Sequence, residues 1–326
     1  MSKKPLFVFG LAVALLSTAA NAKPLVYVAA GSSNQIIVID AATDKVVGKY
    51  DGIDNPHSIV STPDGEYVLS GSLKEKKLSK ADKGPAHSTI YLVHPEHGHV
   101  MLTMKAEGMI HHQTITPDGR YVISTHPTRG NISLADLQQN KVVKTIATGP
   151  SPNYAAVTPD GKTVYVSNSG NGTISVIDTA SWTVKRSLEA GPGPEHIVLS
   201  KDGATIYVIN PAAGVVSSVN VSSGKVARTY QLGKRLHGLD ISDDGTTLFI
   251  TSKKDEKFIV LDPKTDTRRV LPLSPSPYHL ETIEGTGKVY VSSSSSPKIW
   301  VVDQKSARLL GEIAITGEGH QMTVVE

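Results

Sequence analysis

The chain has 326 residues, of which 39% are hydrophobic, 19% charged and 5% aromatic, and it contains no cysteine. This composition is typical of a globular protein. The lack of cysteine excludes disulfides, thiolate metal sites, cysteine catalysis and covalent c-type haem attachment. A formal charge of +3 is too small to indicate nucleic-acid binding. Any metal or cofactor chemistry must therefore use histidine, carboxylate, methionine or backbone groups, and the chain has 12 histidines.

The first 22 residues have the pattern of a secretory signal peptide. A pair of lysines precedes an apolar run over 5–16, and Ala20-Asn21-Ala22 has the small-x-small form of a cleavage site. The run is shorter than the roughly 20 residues of a membrane-spanning helix. We therefore predict a cleaved signal peptide at 1–22, a mature chain 23–326 located in the periplasm, and no membrane span.

The mature chain repeats with a period of 42 residues. TPDGRYVIST near position 116 recurs as TPDGKTVYVSN near 158, SKDGATIYVIN near 200 and SDDGTTLFITS near 242. The alternating, β-branched runs predict strands, and the Asp-Gly pairs predict tight hairpins because glycine accepts a positive φ. Seven units of about 43 residues each accommodate four short strands. The sequence therefore predicts an all-β fold, a single seven-bladed β-propeller with four-stranded blades.

The two ends of the mature chain predict how the ring closes. LVYVAAGSSNQIIVID supplies a second and a third strand, and the C-terminal HQMTVVE supplies a lone first strand. Pairing of the N- and C-terminal strands completes one blade and removes two open edges. The unit VYVSNSGNGTISVID resembles the YVTN family of β-propeller repeats, and this resemblance extends over essentially all of 23–326. The resemblance implies the fold and leaves the function open.

One column of the repeat is rich in histidine. The position eight residues before the hairpin glycine, where each first strand begins, holds in order His57, His111, Asn153, Glu195, His237, His279 and, by extrapolating the period, His320. His112 and His196 stand directly beside this column. Because the first strand is the innermost strand of a propeller blade, we expect these side chains to meet at one mouth of the central channel.

Neutral imidazole is a good ligand for copper and zinc, and an exported protein without cysteine has few other choices. We therefore predict a copper or zinc site, with the metal ligands drawn from His57, His111, His112, His196, His237, His279 and His320. Positions that support or extend this site are predicted at His126, Asn153, Glu195 and His87. The alternative is a solvated polar rim in which each histidine bonds backbone or channel water.

Two further features lie outside the column. A lysine-rich insertion within about 73–89 lengthens the second repeat on the same face, as a lid, a docking surface for an acidic protein partner, or a solvated loop. His94, His97 and His99 occupy a turn on the opposite face, which we interpret as an exposed loop.

The first functional hypothesis is a periplasmic copper protein. Histidines from many blades, with the adjacent pair His111-His112, are similar in arrangement to the propeller domain of nitrous oxide reductase, which implies a copper site with several histidine ligands. Two departures, the lack of a cysteine-containing copper domain and the presence of Asn153 in the column, argue against reductase activity. Storage or delivery of copper or zinc, or an unassigned redox role, fits better. If the protein is an enzyme, we expect an oxidoreductase that uses histidine-ligated copper.

Two other hypotheses remain. The family also resembles the d1-haem domains of nitrite reductases, which implies a haem-binding propeller with one histidine as the axial ligand. A non-enzymatic scaffold that binds a protein partner is the third hypothesis, and it leaves the histidine column unexplained.

Overall fold

The computed structural model describes residues 24–77 and 85–325. The predicted signal peptide at 1–22 and the centre of the insertion therefore lie outside the described residues. Within the described ranges the chain forms 28 β-strands, arranged as seven four-stranded antiparallel sheets, and one short 3-10 helix, Gly31–Ser33. The predicted seven-bladed all-β fold is confirmed. No helix in these ranges is long and apolar enough to span a membrane.

The first blade combines the two ends of the chain. It contains β1 (Leu25–Ala30), β2 (Gln35–Asp40), β3 (Lys45–Tyr50) and β28 (Gly319–Val325). Strand β28 pairs with β1, with Leu25 opposite Val325 and Val28 opposite Met322. The predicted closure of the ring by the N- and C-terminal strands is therefore confirmed.

The other six blades follow in chain order. The second has β4 (Pro56–Ser61), β5 (Val68–Ser72), β6 (His87–His94) and β7 (His99–Glu107). The third has β8 (Gln113–Ile115), β9 (Tyr121–His126), β10 (Asn131–Asp136) and β11 (Lys141–Ala147). The fourth has β12 (Pro152–Val157), β13 (Thr163–Asn168), β14 (Thr173–Asp178) and β15 (Thr183–Glu189).

The last three blades keep the same pattern. The fifth has β16 (Ile197–Leu199), β17 (Thr205–Asn210), β18 (Val215–Asn220) and β19 (Lys225–Gln231). The sixth has β20 (Leu236–Ile241), β21 (Leu248–Ser252), β22 (Lys257–Asp262) and β23 (Thr267–Pro272). The seventh has β24 (Pro277–Ile283), β25 (Lys288–Ser293), β26 (Lys298–Asp303) and β27 (Leu309–Ala314).

The hydrophobic core lies between neighbouring blades. Second and third strands such as β1 and β2 are buried along nearly their whole length, because alternate side chains face the blades on either side. The fourth strands are mostly exposed, as β15 and β23 are, and β3 alternates between exposed and half-buried residues. The first strands of neighbouring blades contact one another around the centre. They enclose a cavity of about 570 Å³, whose walls include Ile59, Leu239 and Glu281.

Asp-Gly hairpins connect the first strand to the second in five blades, the second to the sixth. At one of them Gly161 has a φ of +69°, which glycine adopts without steric cost. The Thr158 hydroxyl donates to the Asp160 carboxylate at 2.7 Å, and that carboxylate accepts the backbone N–H of Lys162 at 3.1 Å. These turns follow the C-terminal end of the first strand, whereas the column residues lie at its N-terminal end. The turns and the column therefore lie on opposite faces of the propeller.

Candidate metal centre

Irregular hydrogen-bond pairing at the start of the innermost strand determines the direction of the column side chains. In five blades the register between the first and second strands shifts at this position, between Pro56 and Ser58, Pro152 and Ala155, Leu236 and Leu239, Pro277 and Leu280, and Gly319 and Met322. A β-bulge breaks the usual alternation of side chains and redirects them. Two consecutive residues of a first strand, such as Tyr278 and His279, therefore both reach the channel mouth.

Hydroxyl groups on second strands connect the first strands of neighbouring blades through hydrogen bonds at the level of the column. The Thr125 hydroxyl oxygen accepts the backbone N–H of His112 at 3.0 Å and donates to the carbonyl of Asn153 at 2.9 Å. The same relay recurs at Ser167 and at Thr251. Each relay holds the backbone of two neighbouring blades in a fixed relation, so the spacing between their column side chains is determined by buried hydrogen bonds.

Three of the predicted ligands form the tightest cluster, which we call the first triad: His196, His237 and His279 from blades five, six and seven. One ring nitrogen from each lies within 4.8 Å of the other two. The Nε2 atoms of His237 and His279 are 3.3 Å apart. Metal–nitrogen bonds of about 2.0–2.1 Å in a tetrahedral site place two ligand nitrogens about 3.3 Å apart. The His237–His279 pair thus has the spacing of two imidazoles that share one metal ion.

A second group comprises His320, His57 and His111 from blades one, two and three, and we call it the second triad. The His57 ring lies 4.3 Å from that of His320 and 5.1 Å from that of His111, centroid to centroid. The Nδ1 atoms of His57 and His320 are buried without a hydrogen-bond partner among the described residues. Nδ1 of His111 lies 3.2 Å from the carbonyl oxygen of Asn153, which can only accept a hydrogen bond, so the ring proton is on Nδ1. Nε2 of His111 therefore carries the free lone pair.

His112 differs from the other predicted ligands in its hydrogen bonding. Its Nδ1 accepts the backbone N–H of Ala155 at 3.3 Å, so the proton of the neutral ring is on Nε2. Its ring stacks on Tyr154 with centroids 3.3 Å apart, and Tyr154 in turn contacts His196 at 4.5 Å. His112 therefore lacks a lone pair for a metal in this tautomer, and its ring instead belongs to the aromatic stack that lines the mouth.

The predicted supporting residues divide into two sets. Glu195 Oε2 lies 4.0 Å from Nδ1 of His237, on the side of the ring away from His279. Asn153 places a partnerless Oδ1 at the mouth, and its carbonyl fixes His111. Both residues are thus placed beside predicted ligands.

The other two supporting residues lie away from the triads. His126 uses both ring nitrogens, 2.9 Å from the Met109 carbonyl and 2.8 Å from the Ser133 hydroxyl. It therefore anchors the backbone two residues before His111 instead of offering a ligand. His87 opens strand β6 rather than lying inside the insertion, and its backbone pairs with that of Lys76.

Burial keeps the column histidines uncharged. It is the largest cause that lowers the pKa of all seven predicted ligands, to about 3 at His196 and about 4 at His320. Repulsion between neighbouring rings lowers the pKa of His57, His237 and His279 further. Burial also raises the pKa of Glu195. At neutral pH the imidazoles are therefore in the unprotonated form that binds metals.

Three residues at the mouth were missed by the sequence reasoning. The Tyr278 ring stacks on His237 with centroids 3.9 Å apart and planes 6° apart, and Lys253 Nζ lies 4.7 Å from the Tyr278 centroid. Tyr154 joins the stack described above. The repeat contains a signal for Tyr154, since His112, Tyr154 and His196 follow one another at intervals of 42 residues in the column next to the predicted one.

The opposite-face histidines form a separate group. The ring centroids of His94 and His97 are 4.6 Å apart, and those of His97 and His99 are 5.7 Å apart. Within the described ranges, the first triad is the sole set of three histidine or carboxylate residues whose ligand atoms all approach within 4.8 Å. The turn carrying His94, His97 and His99 therefore lacks that convergence.

Comparisons with known proteins identify the fold. The family model described as YNCE-like beta-propeller matches residues 131–247. Hydrazine synthase of Kuenenia stuttgartiensis is 19% identical over 80% of this chain and 86% of that chain, with a TM-score of 0.68. The periplasmic gluconolactonase of Pseudomonas aeruginosa is 17% identical over 93% of this chain and 99% of that chain, with a TM-score of 0.75. No curated protein matches the sequence.

At these identities the likeness to solved structures shows the propeller fold alone. The relationship to YVTN repeats and the likeness to the histidine arrangement of nitrous oxide reductase stay predictions.

Proposed function

We propose that this protein is a periplasmic metal-binding propeller that holds copper or zinc through histidines at the channel mouth, for storage or delivery of the metal or for a redox role. The convergence of His196, His237 and His279 within 4.8 Å carries the proposal. Export to the periplasm is supported by the signal-peptide pattern at 1–22.

The donor set fits these two metals. Three neutral imidazoles are a common ligand set for zinc and copper, and they leave a fourth position open to water or another ligand. Glu195 beside Nδ1 of His237 provides the carboxylate that often orients a metal-binding imidazole. Nε2 of His196 is buried and has no hydrogen-bond partner among the described residues, so a bound ion would satisfy it.

The second triad supports a larger capacity for metal. The nitrogens of His57 and His320 that lack a partner among the described residues, together with the Nε2 lone pair of His111, offer further donors at the mouth. The rings of His57 and His320 lie 6.3 and 5.9 Å from that of His279, centroid to centroid, so the second triad adjoins the first. The His57 ring lies between the other two, 4.3 Å from that of His320 and 5.1 Å from that of His111, so side-chain rotations would bring a nitrogen of His57 and of either neighbour to one ion.

The two alternative functions have less support. The close contacts between the column imidazoles leave no flat slot for a haem macrocycle between them. A protein-interaction scaffold would not require buried, partnerless imidazole nitrogens, which carry a desolvation cost unless a ligand satisfies them.

The test is metal analysis of the full-length protein, expressed with its own leader and purified from the periplasm without chelators. We expect about one equivalent or more of copper or zinc, with a visible absorption band if the metal is Cu(II). The double variant His237→Ala and His279→Ala should lose this metal. The matched double variant His97→Ala and His99→Ala, on the opposite face, should retain it.

Three results would contradict the proposal or part of it. Protein that takes up neither metal at micromolar concentration would overturn the proposal. Equal uptake by wild type and the His237/His279 double variant would overturn the assignment of the ligands. A Soret-region band in place of bound copper or zinc would favour the haem-binding alternative.

A further inference from the structure

Lys253 lies beside the first triad in the sixth blade, and Arg235 is its backbone neighbour. Lys253 follows the end of β21 directly, and its backbone N–H donates to the carbonyl of Arg235 at 3.0 Å. Arg235 directly precedes β20, which carries His237. The hydrogen-bonded backbone thus brings a lysine and an arginine together at the mouth end of the blade.

The ammonium group of Lys253 is held close to the metal ligands by an aromatic ring. Its Nζ lies 4.7 Å from the centroid of Tyr278, a distance typical of a cation–π contact. Tyr278 stacks on His237 and also contacts the ring of His279 at 4.6 Å. One aromatic ring therefore connects this cation to two members of the first triad.

Neither cation forms an ion pair with another described residue. The nearby carboxylate of Asp255 already pairs with Lys257 at 3.3 Å and accepts the backbone N–H of Lys234 at 2.9 Å. Glu195 is on the Nδ1 side of His237. Burial lowers the pKa of Lys253, and the positive charge of Arg235 lowers it further.

This local charge is unbalanced, and a bound metal would increase the imbalance. Three neutral imidazoles contribute no negative charge, and the single charge of Glu195 offsets only part of the two positive charges of a divalent ion. The three imidazoles also leave the fourth coordination position of the ion open. A cationic rim around an open coordination position attracts anions and repels free cations. An anion would compensate the charge at the metal and at Lys253 at the same time.

We infer, on the basis of the proposed function, that the metal-loaded mouth binds a small carboxylate or oxyanion. One oxygen of the anion occupies the open metal position, and Lys253, together with Arg235, compensates the negative charge of the anion. Tyr278 is a positioning residue in this site, because it holds Lys253 beside the first triad. The inference gives the substrate or co-ligand class of the metal centre, namely a small anion.

The experiment uses the full mature chain loaded with Cu(II), or with Co(II) if zinc is the metal that the protein retains. Azide is the spectroscopic probe, since its binding to either ion changes the visible absorption spectrum. Acetate is the competitor, and it should displace azide in a saturable manner. Lys253→Met should weaken both anions by about tenfold, the factor that corresponds to one lost charge-assisted hydrogen bond. Lys253→Arg should restore most of the affinity, and affinity for the metal should stay within about twofold in both variants.

A matched control comes from the neighbouring residue. Lys254 is exposed and makes no contact with Tyr278, so Lys254→Met should leave the azide affinity unchanged. Raising the ionic strength should weaken azide binding to wild type more than to the Lys253→Met variant, because salt screens the lysine charge.

The outcomes separate this inference from the proposed function. Failure to take up any metal would overturn the proposed function itself. Metal uptake without a response to azide, or equal azide affinity in wild type and Lys253→Met, would overturn the anion site and leave the metal site standing. Equal loss in the Lys253→Met and Lys254→Met variants would show a general effect of surface charge, which also contradicts the inference.

Discussion

The Nε2 atoms of His237 and His279 lie 3.3 Å apart although the two residues are 42 positions apart in the chain and belong to different blades. The bulges at the start of β20 and β24 aim both rings at the same point in the channel mouth. The repeat therefore brings both members of this pair to the site, because they occupy the same position in consecutive blades.

Loss of one ring from this pair is expected to weaken metal binding strongly. His237→Ala should lower the affinity by about a hundredfold or more, since the effect of removing a ligand exceeds the tenfold to hundredfold cost of losing a supporting partner. Competition with a chromophoric chelator measures the dissociation constant. His99→Ala, on the opposite face, should leave that constant unchanged, and a comparable loss there would contradict the location of the site.

Removing the charge of Glu195 should have a smaller effect. Its carboxylate lies 4.0 Å from Nδ1 of His237, beyond hydrogen-bond distance, and its negative charge favours the positive charge of a bound ion. Glu195→Gln keeps the shape of the side chain and should weaken metal binding by about tenfold. The same chelator competition applies, and an affinity equal to that of wild type would show that the carboxylate plays no part.

His112 is expected to matter for stability and not for metal affinity. Its Nδ1 already accepts the N–H of Ala155, and its ring packs on Tyr154. His112→Ala should reduce the free energy of unfolding by about 1–3 kcal/mol, because it leaves a buried N–H unpaired and removes a packed ring. Denaturant unfolding and chelator competition measure the two quantities. A large loss of metal affinity in a folded variant would show that His112 is a ligand after all.

The hydroxyl relay should be needed for the geometry of the site. The Thr251 hydroxyl oxygen accepts the N–H of Gly238 at 2.8 Å and donates to the carbonyl of Tyr278 at 2.5 Å. Thr251→Val preserves the shape but leaves both buried groups unpaired, so we expect a loss of about 1–3 kcal/mol in unfolding free energy and weaker metal binding. Thr251→Ser should restore both properties. Equal behaviour of the valine and serine variants would contradict the role of the hydroxyl group.

The stability of the metal-free protein should decrease as the pH falls below about 6.5. Burial lowers the pKa of His196 to about 3 and that of His320 to about 4 in the folded state. Between those values and the ordinary pKa of 6.5, the unfolded chain binds protons that the folded chain does not, so protonation favours unfolding. Each such histidine contributes a slope of up to about 1.4 kcal/mol per pH unit, and none above pH 6.5.

Urea unfolding at several pH values between 4.5 and 7.5 measures this dependence. His196→Gln replaces the titrating ring with an amide and should flatten the curve relative to wild type. An equally steep curve in that variant would contradict the assignment of the slope to the column.

The sequence predicted the fold because the period of 42 and the five Asp-Gly turns are signals that recur along most of the chain. It also indicated the column, since the equivalence of His57, His237 and His279 depends only on that period. The period could not show that the column divides into two triads, because the division depends on the positions of Asn153 and Tyr154 in the fourth blade and on ring orientations. It could not show the tautomer of His112 either, since this depends on a backbone N–H from the next blade.

The contact between Lys253 and Tyr278 could not be predicted from the 42-residue period either. Lys253 has no equivalent lysine in the repeat column, which holds Ser169 in the fourth blade and Pro211 in the fifth. Its proximity to the first triad depends on the twist between two blades and on the rotamer of a long side chain. The period predicts residues that occupy equivalent positions in several blades, and it does not predict a contact made by a residue that occurs in one blade alone.

X-ray absorption spectroscopy of the metal-loaded, full-length mature protein tests the central claim most directly, because it reports the type and distance of the atoms around the metal. We expect at least three imidazole nitrogens at about 2.0–2.1 Å, with the outer-ring scattering that identifies histidine. In the double variant His237→Ala and His279→Ala, that signal should disappear. A spectrum dominated by oxygen ligands, or an unchanged imidazole signal in the double variant, would contradict a metal centre formed by the column.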